Sequence, residues 1–168
     1  MSLEEKLCQF REKYYKENKK ATFFKNSQKI ACAEEITNKF SIDELLLKSI
    51  YIDNDKIIVK YPLIKHFINP TIYPNILQHM EYLTNIVISK HDLFEVHLDI
   101  ESFTMTAAQR YNDLIKEFCY KYLNSCYEQK LKFIFIHNPP SIITVLQSMF
   151  YPFISESTKT KVIILKQN

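Results

Sequence analysis

Apolar residues gather into two nearly unbroken runs late in the chain, Leu131-Lys-Phe-Ile-Phe-Ile-His137 and Val162-Ile-Ile-Leu165. Runs of this kind suit strands of a sheet covered on both faces. Between them, Asn138-Pro-Pro140 ends the first strand, because proline cannot donate to a ladder but fits a helix start. An apolar segment then runs from Ser141 to Phe153, followed by the polar turn Ser155-Glu-Ser-Thr-Lys-Thr-Lys161. The spacing predicts strand, helix, strand, a unit of βαβ size. The helix carries Ile142, Ile143, Val145, Leu146, Met149, Phe150, Tyr151 and Phe153 and has almost no polar face. Such a helix is normally buried or in contact with lipid.

Earlier in the chain the periodicity is mainly helical. Leu3, Leu7, Phe10, Tyr14 and Tyr15 predict a helix from Ser2 to about Lys20, with Ser2 and Glu5 forming a capping box. A second helix is expected over Gln28 to Phe40. A third, short one starts at Ser41, with Glu44 in capping position, and runs through Leu45-Leu-Leu47. These helices, residues 1–50, read as a cap packed on residues 51–168 in one compact unit. Tyr51 to Asp55 is turn-rich at its end, and Lys56 to Tyr61 reads as a strand stopped by Pro62. Leu63 to Tyr73 shows no clear period, and Asn69-Pro70 and Tyr73-Pro74 are loop signals. A helix from Pro74 to Lys90 carries Ile76, Leu77, Met80, Leu83, Ile86 and Val87 as its stripe. Phe94 to Ile100 alternates as a strand. One long helix is expected from Thr104 to Cys126, with Ala108, Tyr111, Leu114, Ile115, Phe118 and Tyr122 inward. A helical cap followed by β, α, β, α, β, α, β predicts an α/β fold with a mostly parallel, mixed sheet flanked by helices.

Composition narrows the chemistry. The 168 residues carry a net charge of +3, from 22 basic and 19 acidic residues, too balanced to argue for a nucleic-acid partner. The basic cluster Lys16, Lys19, Lys20 and Lys25 reads as a solvated face, with a membrane-surface role as the alternative. Glycine is absent altogether. That excludes a standard P-loop, a dinucleotide fingerprint and a glycine-rich kinase loop, and leaves the turns to Asn, Asp and Ser. Cys8, Cys32, Cys119 and Cys126 form no CxxC pair and read as buried free thiols. The five histidines include no i, i+4 pair, so no metal site is expected. His97 and His137 lie near strand ends and could meet in space, as ordinary hydrogen-bonded residues or as a polar spot in a pocket. Asp99 and Glu101 suit a turn better than catalysis, and no serine has a G-x-S-x-G context. No catalytic residue or cofactor is therefore expected. The first residues lack the apolar core of a secretory signal, and no apolar run reaches the ~18 residues of a membrane span. The reading is a reduced, cytosolic, soluble protein.

Four segments resemble one family. Asp99-Ile-Glu-Ser-Phe103 resembles the D-x-x-G-hydrophobic strand end of the CRAL-TRIO lipid-binding domain. Tyr127-Glu-Gln-Lys-Leu131 resembles its Y-P-E-R-L turn. Phe133-Ile-Phe-Ile-His-Asn-Pro-Pro140 resembles its strand ending in N-a-P, and Tyr151-Pro-Phe-Ile154 through Thr158 to Lys161-Val-Ile163 resembles k-P-f-L…T…K-I. The match runs over about residues 94–165 and is weaker over 56–90. Ser102 stands for the motif glycine, Glu128 and Gln129 replace the Pro and Glu of the turn, and the sequence ends just after the last strand, where the family usually continues.

The resemblance implies a greasy pocket over a sheet floor, closed by a mobile gate helix at Ser141 to Phe153. It implies a bound phospholipid or other hydrophobic small molecule, transient contact with a membrane, and transfer or presentation between membranes. By residue, it implies headgroup contacts from Lys161, Thr158 and Gln129, which suit phosphatidylinositol. Phe94 and Val96 argue against phosphatidylcholine. Phe94, Val96, Ile142, Leu146, Met149, Phe150 and Phe153 are expected to form the tail pocket and gate. Replacing Leu146 or Phe150 by Asp is expected to block exchange at little cost in stability. The alternative is a protein-interaction adaptor of the same fold, for example toward small GTPases or their regulators.

Overall fold

The computed structural model describes residues 1–166. Five strands form one sheet in the order β1-β2-β3-β4-β5. They are β1 (Ile50–Asp53), β2 (Lys56–Lys60), β3 (Phe94–Asp99), β4 (Leu131–His137) and β5 (Val162–Ile164). β1 and β2 form an antiparallel hairpin. The other pairings are parallel, with Ile57 opposite Val96, Val96 opposite Ile134 and Ile134 opposite Val162. The fold is therefore α/β with a mixed, mostly parallel sheet. Tyr51 to Asp53, expected to lead into a turn, instead belongs to an added edge strand, and the turn is confined to Asn54 and Asp55.

Parallel neighbours that follow in chain order, joined by right-handed crossovers, receive their connecting helices on one face. α5 (Tyr73–His91), α7 (Asn112–Glu117) and α8 (Ile143–Phe150) all contribute to one cavity on that face, and α6 (Met105–Arg110) leads into α7. Strand alternation puts Val59, Val96, Leu98, Ile134, Ile136, Val162 and Ile164 on this inner side. Their alternates Ile58, His97, Phe133, Phe135, His137 and Ile163 occupy the other face and are half-buried. The apolar runs of β4 and β5 thus do not signal two covered faces. On the outer face, Phe135 stacks on His97 at 4.6 Å and meets Phe133 at 5.7 Å, so the aromatic rings cover one another. His97 Nδ1 lies 2.8 Å from His137 Nε2 and its Nε2 lies 2.9 Å from the buried Glu95 carboxylate. The two histidines do meet, but on this outer face and away from the cavity.

The cap helices are α1 (Leu3–Glu17), α2 (Lys25–Lys39) and α3 (Ile42–Ser49). Ser2 and Glu5 form the capping box, and the Ser41 hydroxyl accepts from the Glu44 amide. Leu7, Cys32, Ile36, Leu45 and Leu46 join the same hydrophobic core as the sheet residues Ile50, Ile57 and Val96. The poorly patterned stretch after β2 holds a single turn, α4 (Tyr61–Ile64), and a 3-10 turn, Pro70–Ile72, capped by Asn69. Without glycine, Asn54, Asp92, Ser102 and Asn138 adopt left-handed backbone. Asn and Asp tolerate this region better than most residues, and Ser102 fills the position of the family's motif glycine. Two of the four cysteines, Cys32 and Cys119, are buried; Cys8 and Cys126 are exposed, against the sequence reading.

His66 joins cap and body. It is buried, and Arg11 of α1 lies with Nη1 3.1 Å from its Nδ1. Arginine can only donate, so Nδ1 holds a lone pair and the ring is neutral, with its proton on Nε2, 4.0 Å from Cys8 Sγ. Burial first, then the positive charges of Arg11 and Lys65, push the His66 pKa from 6.5 down to about 4. The unfolded chain therefore binds this proton more tightly than the folded one. Stability is fully present above about pH 6.5 and is lost as pH falls toward 4. Between pH 7.5 and 5 the His66 contribution should fall by about 2 kcal/mol in urea melts, and His66→Asn should remove that part of the pH dependence. An unchanged pH dependence in the variant would contradict this role.

Candidate functional site

The cavity measures about 300 Å³ and lies between the inner sheet face and the helices. Its floor is Val59, Val96, Leu98, Ile134, Ile136 and Val162. Ile76, Leu77 and Met80 of α5 form one wall, with Tyr61 and Phe103 beside them, packed edge to face at 4.8 Å. Tyr111, Leu114 and Ile115 extend the opposite wall.

That wall is not the single long helix expected from Thr104 to Cys126. α6 ends at Arg110, α7 follows, and Phe118–Leu123 is π-helical. The Asn124 amide donates to the Cys119 carbonyl at 3.1 Å, a five-residue step. In this winding, residues five apart fall on one side, and Phe118 and Leu123 both face the cavity. Tyr122 still stacks on Phe118 at 4.9 Å but lies outside the lining. Here Tyr122 is fully buried, and its hydroxyl shares a short hydrogen bond with the Thr84 hydroxyl.

α8 closes the space. Ile143, Leu146, Gln147 and Phe150 face inward. Leu146 is only 5% exposed, whereas its neighbour Val145 is 47% exposed. The apolar segment therefore has two distinct sides, one on the cavity and one on solvent. Its polar groups are satisfied locally: Gln147 Nε2 donates to the Tyr151 hydroxyl at 2.6 Å. Among the described lining residues, the one carboxylate is held by hydrogen bonds. Asp99 accepts from the Glu101 amide at 3.1 Å and from Asn138 Nδ2 at 2.9 Å, the turn role read from sequence. Burial pushes the Cys119 thiol up to about 11 and raises the Tyr61 hydroxyl further still, so both stay protonated. The cavity offers hydrophobic burial, with no nucleophile set beside a base.

A polar cluster adjoins the cavity where α9 (Glu156–Thr160) leads into β5. The Ser155 hydroxyl caps α9 by accepting from the Thr158 amide at 3.0 Å and donates to the Glu128 carboxylate in a short hydrogen bond. Lys161 Nζ donates to the Glu128 carbonyl at 2.7 Å. Ile154 and Val162, next in sequence to Ser155 and Lys161, line the cavity. Thr158 is fully buried, with its hydroxyl 3.0 Å from that of Ser155. Gln129, read as a headgroup residue, is exposed and makes none of these contacts; the preceding Glu128 turns inward instead. Both residues lie in the 3-10 turn Cys126–Gln129, with Glu128 half-buried and Gln129 exposed.

The expected tail residues divide similarly. Val96, Leu146 and Phe150 line the cavity. Phe94 shares the inner face but is sealed beneath Tyr122 and Tyr127, at 6.3 and 6.4 Å. Phe153 packs against Tyr120 at 5.6 Å and lies under the Lys116 ammonium at 5.1 Å, away from the lining. Ile142 and Met149 are half-buried and outside the lining. Tyr61 at the end of its predicted strand, Phe103 at the end of the D-x-x-G-like motif and Ile68 in the stretch without period were missed as lining residues. Ile76, Leu77 and Met80 carried a signal, the helical stripe, but one indistinguishable from ordinary core.

The model of the CRAL/TRIO domain matches residues 51–168. Comparison with curated proteins gives no match. Among solved structures, the crystal structure of Sfh5 is similar over 97% of this chain, at 15% identity and a TM-score of 0.52. The chain spans 63% of the length of that structure, and at this identity the likeness concerns fold alone. Among the described residues, no helix is long and apolar enough to cross a membrane. With a family model matched over well over half its length, a sheet-floored apolar cavity and a covering helix in the expected order, the chain belongs to the CRAL/TRIO family of lipid-binding carrier domains.

Proposed function

We propose that this protein binds a phospholipid, with phosphatidylinositol the best candidate, and presents or transfers it between membranes. The observation that carries the reading is the apolar cavity with a lysine, two hydroxyls and a carboxylate at its edge. Burial of an acyl chain is worth about 0.8 kcal/mol per CH₂, so the lining can hold a lipid without covalent chemistry. About 300 Å³ lies at the lower limit of ligand pockets, so a two-chain lipid requires α8 to move outward. The partly exposed outer side of α8 suits that motion, because Val145 and its neighbours can meet acyl chains while the inner side opens. The adaptor reading gains no comparable support, since a docking module has no need of an unfilled apolar space.

In this reading Lys161 leaves the Glu128 carbonyl and meets the lipid phosphate as a point charge. Thr158, buried and tied to Ser155, positions the turn. Lys161→Ala should weaken loading of phosphatidylinositol by about tenfold, as expected for a lost hydrogen bond to a charged group. Loading of phosphatidylcholine should change little. Native mass spectrometry after incubation with mixed vesicles compares the two directly; equal loading of both lipids in wild type and variant would remove Lys161 from the headgroup site.

A further inference from the structure

Two aromatic side chains stand out from the surface at the turn between α1 and α2. Phe23 is 90% exposed and Phe24 is 75% exposed, more than any other large apolar residue described. Exposure of one such residue is ordinary, but an adjacent pair at a tip is not. Phe24 also occupies the N-cap of α2 and makes no side-chain capping bond, where Ser or Asp would stabilise the helix.

The turn is held in shape. Gln28 Oε1 accepts from the Ala21 amide at 2.7 Å, and Gln28 Nε2 donates to the Asn18 and Lys19 carbonyls at 3.0 and 3.1 Å. The two rings are therefore presented by a fixed loop. The charge around them is one-sided. Residues 16–29 contain Lys16, Lys19, Lys20, Lys25 and Lys29 against the single acid Glu17, which already lies 3.8 Å from Lys13. Arg110 brings a further cation, its Nε donating to Asn26 Oδ1 at 3.2 Å. The first turn of α2 has no acidic residue, so its positive dipole end adds to the same field.

We propose that the α1–α2 turn docks the protein on an anionic bilayer, Phe23 and Phe24 entering the interface and the surrounding lysines meeting acidic headgroups. Aromatic rings favour the headgroup level, and each lysine near an anionic surface strengthens binding about fivefold. The excess of cations around the tip favours a lipid surface over a protein groove, which would need matching acidic pockets. This docking stands whether or not the cavity carries a lipid.

Vesicle co-sedimentation of the full chain tests it. Wild type should bind phosphatidylcholine vesicles containing phosphatidylserine, bind pure phosphatidylcholine vesicles far less, and release as salt rises. Phe23→Ser with Phe24→Ser should weaken binding about tenfold or more, given the apolar area involved. Lys19→Glu with Lys20→Glu should abolish the phosphatidylserine dependence. Both pairs are exposed, so thermal melts should be unchanged, and lipid loading by native mass spectrometry should be retained. Equal binding by wild type and the Phe variant, or no binding to either vesicle, overturns the proposal. So does self-association of wild type that the Phe variant abolishes, which would make the tip a protein contact. Lost loading with intact vesicle binding would count against the cavity reading alone.

Discussion

Filling the cavity should abolish lipid loading without unfolding the protein. Leu98 and Ile136 are register partners on adjacent strands, and both face the open space. Leu98→Trp with Ile136→Phe places two large rings side by side on the floor. If the space is a ligand site, loading from phosphatidylinositol vesicles should fall at least about tenfold, and stability should hold or rise by up to about 1–2 kcal/mol, as cavity-filling changes commonly do. If the region is in fact packed, the same pair should cost about 1–3 kcal/mol through overpacking. Retained loading at wild-type level would sink the assignment of this cavity as the lipid site. Urea melts and a fluorescent-lipid loading assay measure the two effects separately.

The second large effect separates the sides of α8. Leu146→Asp should destabilise the fold by about 3–5 kcal/mol, because Leu146 is 5% exposed and faces a mainly apolar lining that, among the described residues, holds no cation to pair a carboxylate. This reverses the expectation from sequence, where a helix apolar on all sides gave no means of telling inner from outer positions. Val145→Asp, on a side chain 47% exposed, should cost about 0.5 kcal/mol or less. If the outer side of α8 enters the bilayer during exchange, the same variant should slow transfer between vesicles while leaving bound lipid in place. A severe stability loss from Val145→Asp would mean that α8 is plain core. Unchanged transfer would mean that exchange does not use this face.

Much of the architecture was readable from local pattern. β3 and β4 were found by alternation and by an apolar run, and the βαβ closing unit by its spacing between Pro139 and Lys161. α5 was clear because a long helix repeats its stripe. The failures have physical causes. β1 is a four-residue edge strand beside a glycine-free hairpin turn at Asn54, too short for its period to show. The π-helical segment keeps helical composition while shifting which residues face inward, so Leu123 was missed beside Phe118. β4 and β5 were read as covered on both faces because apolar content cannot distinguish a second layer of helices from rings that shield each other, as Phe133 and Phe135 of β4 do with His97 of β3.

The site was less legible than the fold. Val96, Leu146 and Phe150 reach the cavity, but Phe94, Ile142, Met149 and Phe153 do not, since facing a cavity depends on tertiary packing several elements away. The polar edge shows the same limit. The motif spacing pointed to Gln129, yet a single 3-10 turn brings Glu128 to Ser155 and Lys161. Phe23 and Phe24 attracted no notice in the sequence, because adjacent aromatics ordinarily mark core.

Native mass spectrometry of the purified full chain, incubated with vesicles of phosphatidylinositol and phosphatidylcholine, tests the central claim most directly. The expected result is one phospholipid per chain, enriched in phosphatidylinositol and lost in the Leu98→Trp, Ile136→Phe variant. A wild-type chain that stays bare under these conditions, or loads no more than the filled variant, would contradict it.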